Sequence, residues 1–173
     1  QAEAIDWLRD LVNTPPCDMG PAEIAAEAEA MAQEFGAKVE ITLGAALSGG
    51  VIDLNGGTDV LQLASGANNI TVSDVETLTG DAGADTITLA AALSGGGINL
   101  AGGTDILTLA NGANTLTVSN VETVTGESGA DTITLGAAIS GGEIDLADGT
   151  DTLKLGNFAN SLTVSNVETI TGD

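Results

Sequence analysis

From Ile41 onward, apolar and polar residues alternate in short runs, among them Ile-Thr-Leu at 41–43, Val-Ile-Asp-Leu at 51–54, Leu-Gln-Leu at 61–63 and Ile-Thr-Val at 70–72. Period-2 alternation bounded by Gly, Asn and Asp predicts short strands that bury one face. The whole pattern then recurs. ITLGAALSGG at Ile41, ITLAAALSGG at Ile87 and ITLGAAISGG at Ile133 open three copies of a 46-residue unit, 41–86, 87–132 and 133–173. A period of that length marks a stacked array, because no single unit can bury its apolar face alone.

The predicted fold is mainly β, a parallel β-solenoid of the β-helix or β-roll kind, with five to six coils and two coils in each unit. An Asp ahead of a strand recurs at 59, 85, 105, 131 and 151, in alternating steps of 26 and 20 residues. Stacked on that basis, Leu61, Ile87, Leu107, Ile133 and Leu153 form one apolar ladder, and Leu63, Leu89, Leu109, Leu135 and Leu155 the next. Ile52, Leu54, Ile70, Val72 and their repeats supply the facing wall. Each buried side chain contributes roughly 1.5–3 kcal/mol. Ser-Gly-Gly at 48, 94 and 140 reads as corners where Gly takes positive φ, and the Asn-Val-Glu-Thr segments read as a third side with Val75, Val121 and Val167 inward.

Residues 1–40 have a different grammar. They hold all three prolines, the only Trp and both Met. Ile5, Leu8, Leu11 and Val12 recur at helical spacing, a turn passes through Asn13-Thr14-Pro15-Pro16, and a second helix starts at Pro21 and ends at Gly36. Lys38-Val39-Glu40-Ile41 reads as a strand, which makes the segment a helix-helix-strand cap. Arg9-Asp10-Leu11-Val12-Asn13-Thr14-Pro15-Pro16 and Asp18-Met19-Gly20-Pro21 resemble the start of the catalytic domain of leucyl aminopeptidases, the two-metal cytosolic exopeptidases. The resemblance stops before every residue that family uses for chemistry, since its Asn-Thr-Asp-Ala-Glu-Gly-Arg-Leu signature does not occur here. It implies an inactive fragment, joined to the repeats near Val39–Ile41 by nature or by engineering.

Charge narrows the function further. With 3 basic and 25 acidic residues the formal charge is −22, which disfavours nucleic acid, whose phosphates call for clustered Lys and Arg. No apolar run reaches the roughly 18–20 residues of a spanning helix, so no membrane insertion is expected. One cysteine, Cys17, excludes an internal disulfide. With no His and no Tyr, nucleophilic catalysis finds no support and no catalytic residue is predicted.

Gly80-Asp81-Ala82-Gly83-Ala84-Asp85-Thr86-Ile87-Thr88 and Gly126-Glu127-Ser128-Gly129-Ala130-Asp131-Thr132-Ile133-Thr134 resemble the calcium-binding nonapeptide of repeats-in-toxin, or hemolysin-type, proteins. The departure is Asp81 or Glu127 at the second glycine. That resemblance implies calcium at Asp85 and Asp131, and, through the shorter equivalents, candidate metal ligands at Asp59, Asp105 and Asp151. It also implies an extracellular or cell-surface location. Stacked aspartates would repel by about 1 kcal/mol per neighbouring pair in water and about 3 at an effective dielectric constant near 20. Calcium would relieve this, and so would hydrogen bonds from each turn's own amides. Glu76, Glu122 and Glu168 read as solvated or turn-capping carboxylates.

Thr42, Thr88, Thr108 and Thr134 on one strand and Thr71, Thr117 and Thr163 on the other face outward. Flat threonine arrays can bind ice, but Gln62, Lys154, Asp53, Asn99 and Asp145 interrupt these rows, and Thr is an ordinary solvent-facing strand residue. The reading is a non-enzymatic spacer, stalk or matrix segment. Its last coil, cut mid-repeat, is expected to leave a strand edge through which copies associate end to end as a dimer.

Overall fold

The computed structural model describes residues 38–172, and the helical cap expected over 1–40 lies almost wholly outside them. Each alternating run forms a short strand that pairs in parallel with the strand two further along the chain. The eight-stranded sheet holds β1 (Glu40–Thr42), β3 (Val60–Gln62), β5 (Thr77–Thr79), β7 (Ser94–Asn99), β9 (Thr115–Ser119), β11 (Thr132–Leu135), β13 (Thr152–Lys154) and β15 (Thr169–Thr171). The seven-stranded sheet holds β2 (Ser48–Asp53), β4 (Asn69–Ser73), β6 (Thr86–Leu89), β8 (Ile106–Thr108), β10 (Thr123–Thr125), β12 (Ser140–Asp145) and β14 (Ser161–Ser165). The chain thus alternates between two sheets through about seven turns of a parallel β-solenoid. Among the described residues no helix is long and apolar enough to cross a membrane.

Residues stacked in successive turns lie 20 or 17 apart, as in Ile41–Leu61–Leu78–Ile98. This corrects the expected 26-and-20 stepping. The Asn-Val-Glu-Thr segments expected to form a third side instead lead into strands, Thr77–Thr79, Thr123–Thr125 and Thr169–Thr171, that pair as ordinary members of the two-sheet stack, so the long coil divides into shorter ones. The inward placement of Val75 and Val121 holds, with Val167 half-buried.

One 46-residue repeat therefore contains five strands, or two and a half coils, rather than two. Because five is odd, Ile41 lies in the eight-stranded sheet, Ile87 in the seven-stranded sheet and Ile133 in the eight-stranded sheet again. The single ladder Leu61–Ile87–Leu107–Ile133–Leu153 is split accordingly. Leu61 stacks on Leu78 and Ile133 on Leu153 in one sheet, while Ile87 stacks on Leu107 in the other. The two inner faces still close one continuous apolar core, with Leu61, Ile87, Leu107, Ile133 and Leu153 fully buried.

Ser-Gly-Gly proves to be the start of a strand rather than a corner. In β2, β7 and β12 the register slips by one residue after the Ser, from Ser94–Thr115 to Gly97–Thr117 in β7, which is a β-bulge. Positive φ is nonetheless required there. Gly96 sits at φ 111°, and a Cβ on it would run into the Glu76 carbonyl oxygen.

Candidate functional site

Each of the five aspartates stands immediately before a strand, where the chain turns from one sheet into the other, and all five are at most 1% exposed. Position in the stack, not in the repeat, decides which of them meet. Asp85 lies under Asp105 at the N-terminal ends of β6 and β8 in the seven-stranded sheet, and Asp131 under Asp151 at those of β11 and β13 in the eight-stranded sheet. Asp59 belongs to the eight-stranded sheet, so it is not adjacent to Asp85, contrary to the sequence-based stacking.

One oxygen of every aspartate accepts a backbone N–H from the preceding turn. Val39 N donates to Asp59 Oδ1 at 2.7 Å, Asn68 N to Asp85 Oδ1 at 2.8 Å, Asp85 N to Asp105 Oδ1 at 2.8 Å, Asn114 N to Asp131 Oδ1 at 2.8 Å and Asp131 N to Asp151 Oδ1 at 2.7 Å. The donor is the neighbouring coil, not the turn's own amide. These bonds continue the sheet ladder past the strand end, in the place where a backbone carbonyl has run out.

Sequence reasoning missed the other rungs. Asn68 and Asn114 are buried; each accepts from the turn before, at Leu47 N and Leu93 N (both 3.1 Å), and donates through Nδ2 to the next aspartate at 2.9 Å. Glu76, Glu122 and Glu168, read above as solvated or turn-capping, accept from Asp59 N, Asp105 N and Asp151 N at 2.8, 2.8 and 2.7 Å. The two complete columns, Asn68–Asp85–Asp105–Glu122 and Asn114–Asp131–Asp151–Glu168, run Asn, Asp, Asp, Glu, and a shorter one holds only Asp59 and Glu76. The available signal was an acceptor recurring ahead of nearly every strand run, obscured because a 46-residue frame places neighbours of one column in different parts of the repeat.

The second carboxylate oxygen, Oδ2, of all five aspartates is buried and has no hydrogen-bond partner. Burial pushes the Asp105 and Asp151 carboxyls above the ordinary carboxylate range, against the bond each accepts from the amide below, and the neighbouring Glu122 and Glu168 add to the rise. The fit of these residues to calcium can be judged on the donors. A hard cation takes six to eight oxygens, and each aspartate offers one that is unengaged. The turns place carbonyls beside the carboxylates: a Cβ on Gly103 would strike the Gly83 carbonyl oxygen and lie 2.8 Å from Asp105 Oδ1, and Gly149 is set the same way between the Gly129 carbonyl and Asp151. Among the described residues, however, no three acidic, His or Cys side chains converge on one point. The oxygen chemistry suits a hard cation, and backbone carbonyls would have to supply most of the shell.

The outer faces carry the second repeated arrangement. In the eight-stranded sheet Thr115, Thr132, Thr152 and Thr169 align across four consecutive strands, beside Thr117, Thr134, Lys154 and Thr171. In the seven-stranded sheet Thr71, Thr88, Thr108 and Thr125 align beside Asn69, Thr86, Ile106 and Thr123. The second array is the first moved by one repeat and by half a coil. Of the residues expected to interrupt the threonines, only Lys154 falls inside either array. Gln62, Asp53, Asn99 and Asp145 lie in other ranks.

No family model matches the chain, and no solved structure does. Two curated proteins are similar over short stretches: a probable cytosol aminopeptidase of Streptomyces avermitilis, 40% identical over 60 residues, and one of Streptomyces coelicolor, 52% identical over 40 residues. They account for 32% and 23% of this chain, which in turn spans only 12% and 8% of their lengths. The chain therefore combines a short stretch similar to cytosol aminopeptidases with a β-solenoid.

Proposed function

We propose that this chain is a non-enzymatic structural segment, a solenoid rod that serves as spacer or stalk in a secreted or cell-surface repeat protein. The observation that carries the reading is the use of its recurring polar side chains. The buried aspartates, the asparagines before β4 and β9 and the three glutamates all bond one coil to the next. A repeated site of this kind builds length, whereas a catalytic pair needs one environment unlike the others. The aminopeptidase-like stretch is then an inactive fragment fused to the rod. Hydrolysis of a leucine anilide, assayed with and without added zinc or manganese, is expected to stay at the buffer rate; turnover would refute the non-enzymatic reading.

A second reading, that calcium stiffens the rod, is favoured by the five unpartnered carboxylate oxygens and by the nonapeptide resemblance. Calcium raised to about 10 mM, beyond the range of weak extracellular modules, is expected to raise the melting temperature of the native chain and to raise it less in Asp105→Asn with Asp151→Asn. A flat response in the native chain would remove calcium from the account and leave the hydrogen-bonded columns standing.

A further inference from the structure

We propose that the two threonine arrays are ice-binding faces, so that the rod adsorbs to crystalline water through either side. This goes beyond the structural role and does not depend on calcium.

The arrays are two-dimensional nets. Neighbouring strands lie about 4.8 Å apart and same-face residues on one strand roughly 6.6 Å apart, and the spacing between strands lies close to a repeat distance of the water lattice in hexagonal ice. Thr suits such a contact chemically. Its hydroxyl can donate or accept as the adjoining water requires, its methyl fills the gap between waters, and its β-branched side chain is stiff at χ1, so little ordering is left to be done on binding. The backing is packed beneath all ranks but the last, since Leu116, Ile133 and Leu153 beneath one array and Ile70, Ile87, Leu107 and Val124 beneath the other are at most 3% exposed, while Ile170 beneath Thr169 and Thr171 is 51% exposed.

Charge supplies the second observation. The two arrays together hold sixteen positions, four ranks of two on each face, and thirteen are Thr and one is charged, Lys154. No acid stands in either array although the chain carries a net charge of −22, and ions have no place in the ice lattice. Acids return in the adjoining rank, at Glu143 and Asp145. Other occupants fit less well. A protein partner would favour aromatic, Met and Arg anchors, and none of these residue types stands in either array. A metal would need carboxylates and a nucleic acid would need a basic patch.

The test uses the whole chain, frozen slowly from dilute solution onto an ice surface alongside a protein that does not bind ice, with crystal shape and thermal hysteresis recorded in parallel. The native chain is expected to be enriched severalfold in the ice over that control and to facet the crystals. Thr88→Tyr with Thr134→Tyr, which places one bulky ring in each array, is expected to fall to the control level, and Glu143→Tyr in the charged rank to behave as the native chain. Circular dichroism confirms that each variant keeps the β spectrum; if the double tyrosine variant does not, Thr88→Val with Thr134→Val replaces it. Exclusion of the native chain from ice would overturn the proposal. Equal enrichment of the native chain and the double variant would overturn it too, since these faces would then not be the contact.

Discussion

Two left-handed residues recur in every repeat, and they show how single positions set the local geometry. Asn55, Ala101 and Ala147 hold φ of 57°, 64° and 61°, each with its N–H bonded to the side chain two residues before it, Asp53, Asn99 or Asp145. A left-handed Ala carries about 1–2 kcal/mol of strain. Ala147→Gly is expected to stabilise by about 0.5–1 kcal/mol, part of the relief being offset by the freer unfolded chain; chemical denaturation with an unchanged slope checks it. Asp74, Asn120 and Asn166 are the second series. Asn166 donates to Asp145 at 2.6 Å, which holds that carboxyl below its ordinary range, and Asn120 donates to Asn99 at 2.8 Å. In the first copy Asp74 faces Asp53 instead, and burial followed by repulsion from Asp53 holds its carboxyl above the usual carboxylate range. A carboxyl raised in the folded state binds its proton more tightly there than in the unfolded chain, so this site loses stability as pH climbs from the ordinary Asp value through the raised one. Asp74→Asn is expected to melt higher than the native chain above that window and to converge with it below. Melting curves across pH check the sign. Leu107→Ala, in contrast, opens a cavity in the centre of the core and is expected to cost about 2–5 kcal/mol at any pH.

At the scale of the strand and its turn, close approach of coils is the governing restraint. A Cβ on Gly126 would run into the Leu146 carbonyl of the next turn, whose carbon lies 2.7 Å from the added atom. Gly126→Ala is expected to destabilise by about 1–3 kcal/mol, as overpacking does, whereas Gly102→Ala, with open space around it, is expected to stay within about 0.5 kcal/mol as an ordinary surface change; paired thermal melts would show the contrast. Alternation in Ile-Thr-Leu and Leu-Thr-Val made the strands and the inward residues legible in the sequence, because the period of two fixes which side is buried. The recurrence of Asp made the turn positions legible as well. What stayed hidden was the order of stacking. A 46-residue repeat looks divisible into two coils, yet Thr77–Leu78–Thr79, whose single apolar residue gives no alternation to read, supplies the fifth. The Asn and Glu rungs were hidden with it, since each is defined by a neighbour 17 or 21 residues away rather than by anything local.

For the molecule as a whole, interactions between turns are nearest-neighbour, so stability is expected to follow a sum over coils. Deleting 87–132 removes five strands and rejoins Thr86 to Ile133, which keeps the sequence around the junction in its native order. The shortened chain is expected to retain its β spectrum, to melt at a lower temperature and to shorten by about 12 Å, two and a half coils at about 4.8 Å each. Small-angle scattering would measure the change in maximum dimension, and loss of the β spectrum would contradict the two-sheet stacking. The odd number of strands in a repeat has one more effect. Each added repeat turns whatever follows it by half a revolution about the rod axis, so a parent protein with an even number of such repeats points its flanking segments the same way, and one with an odd number sets them back to back.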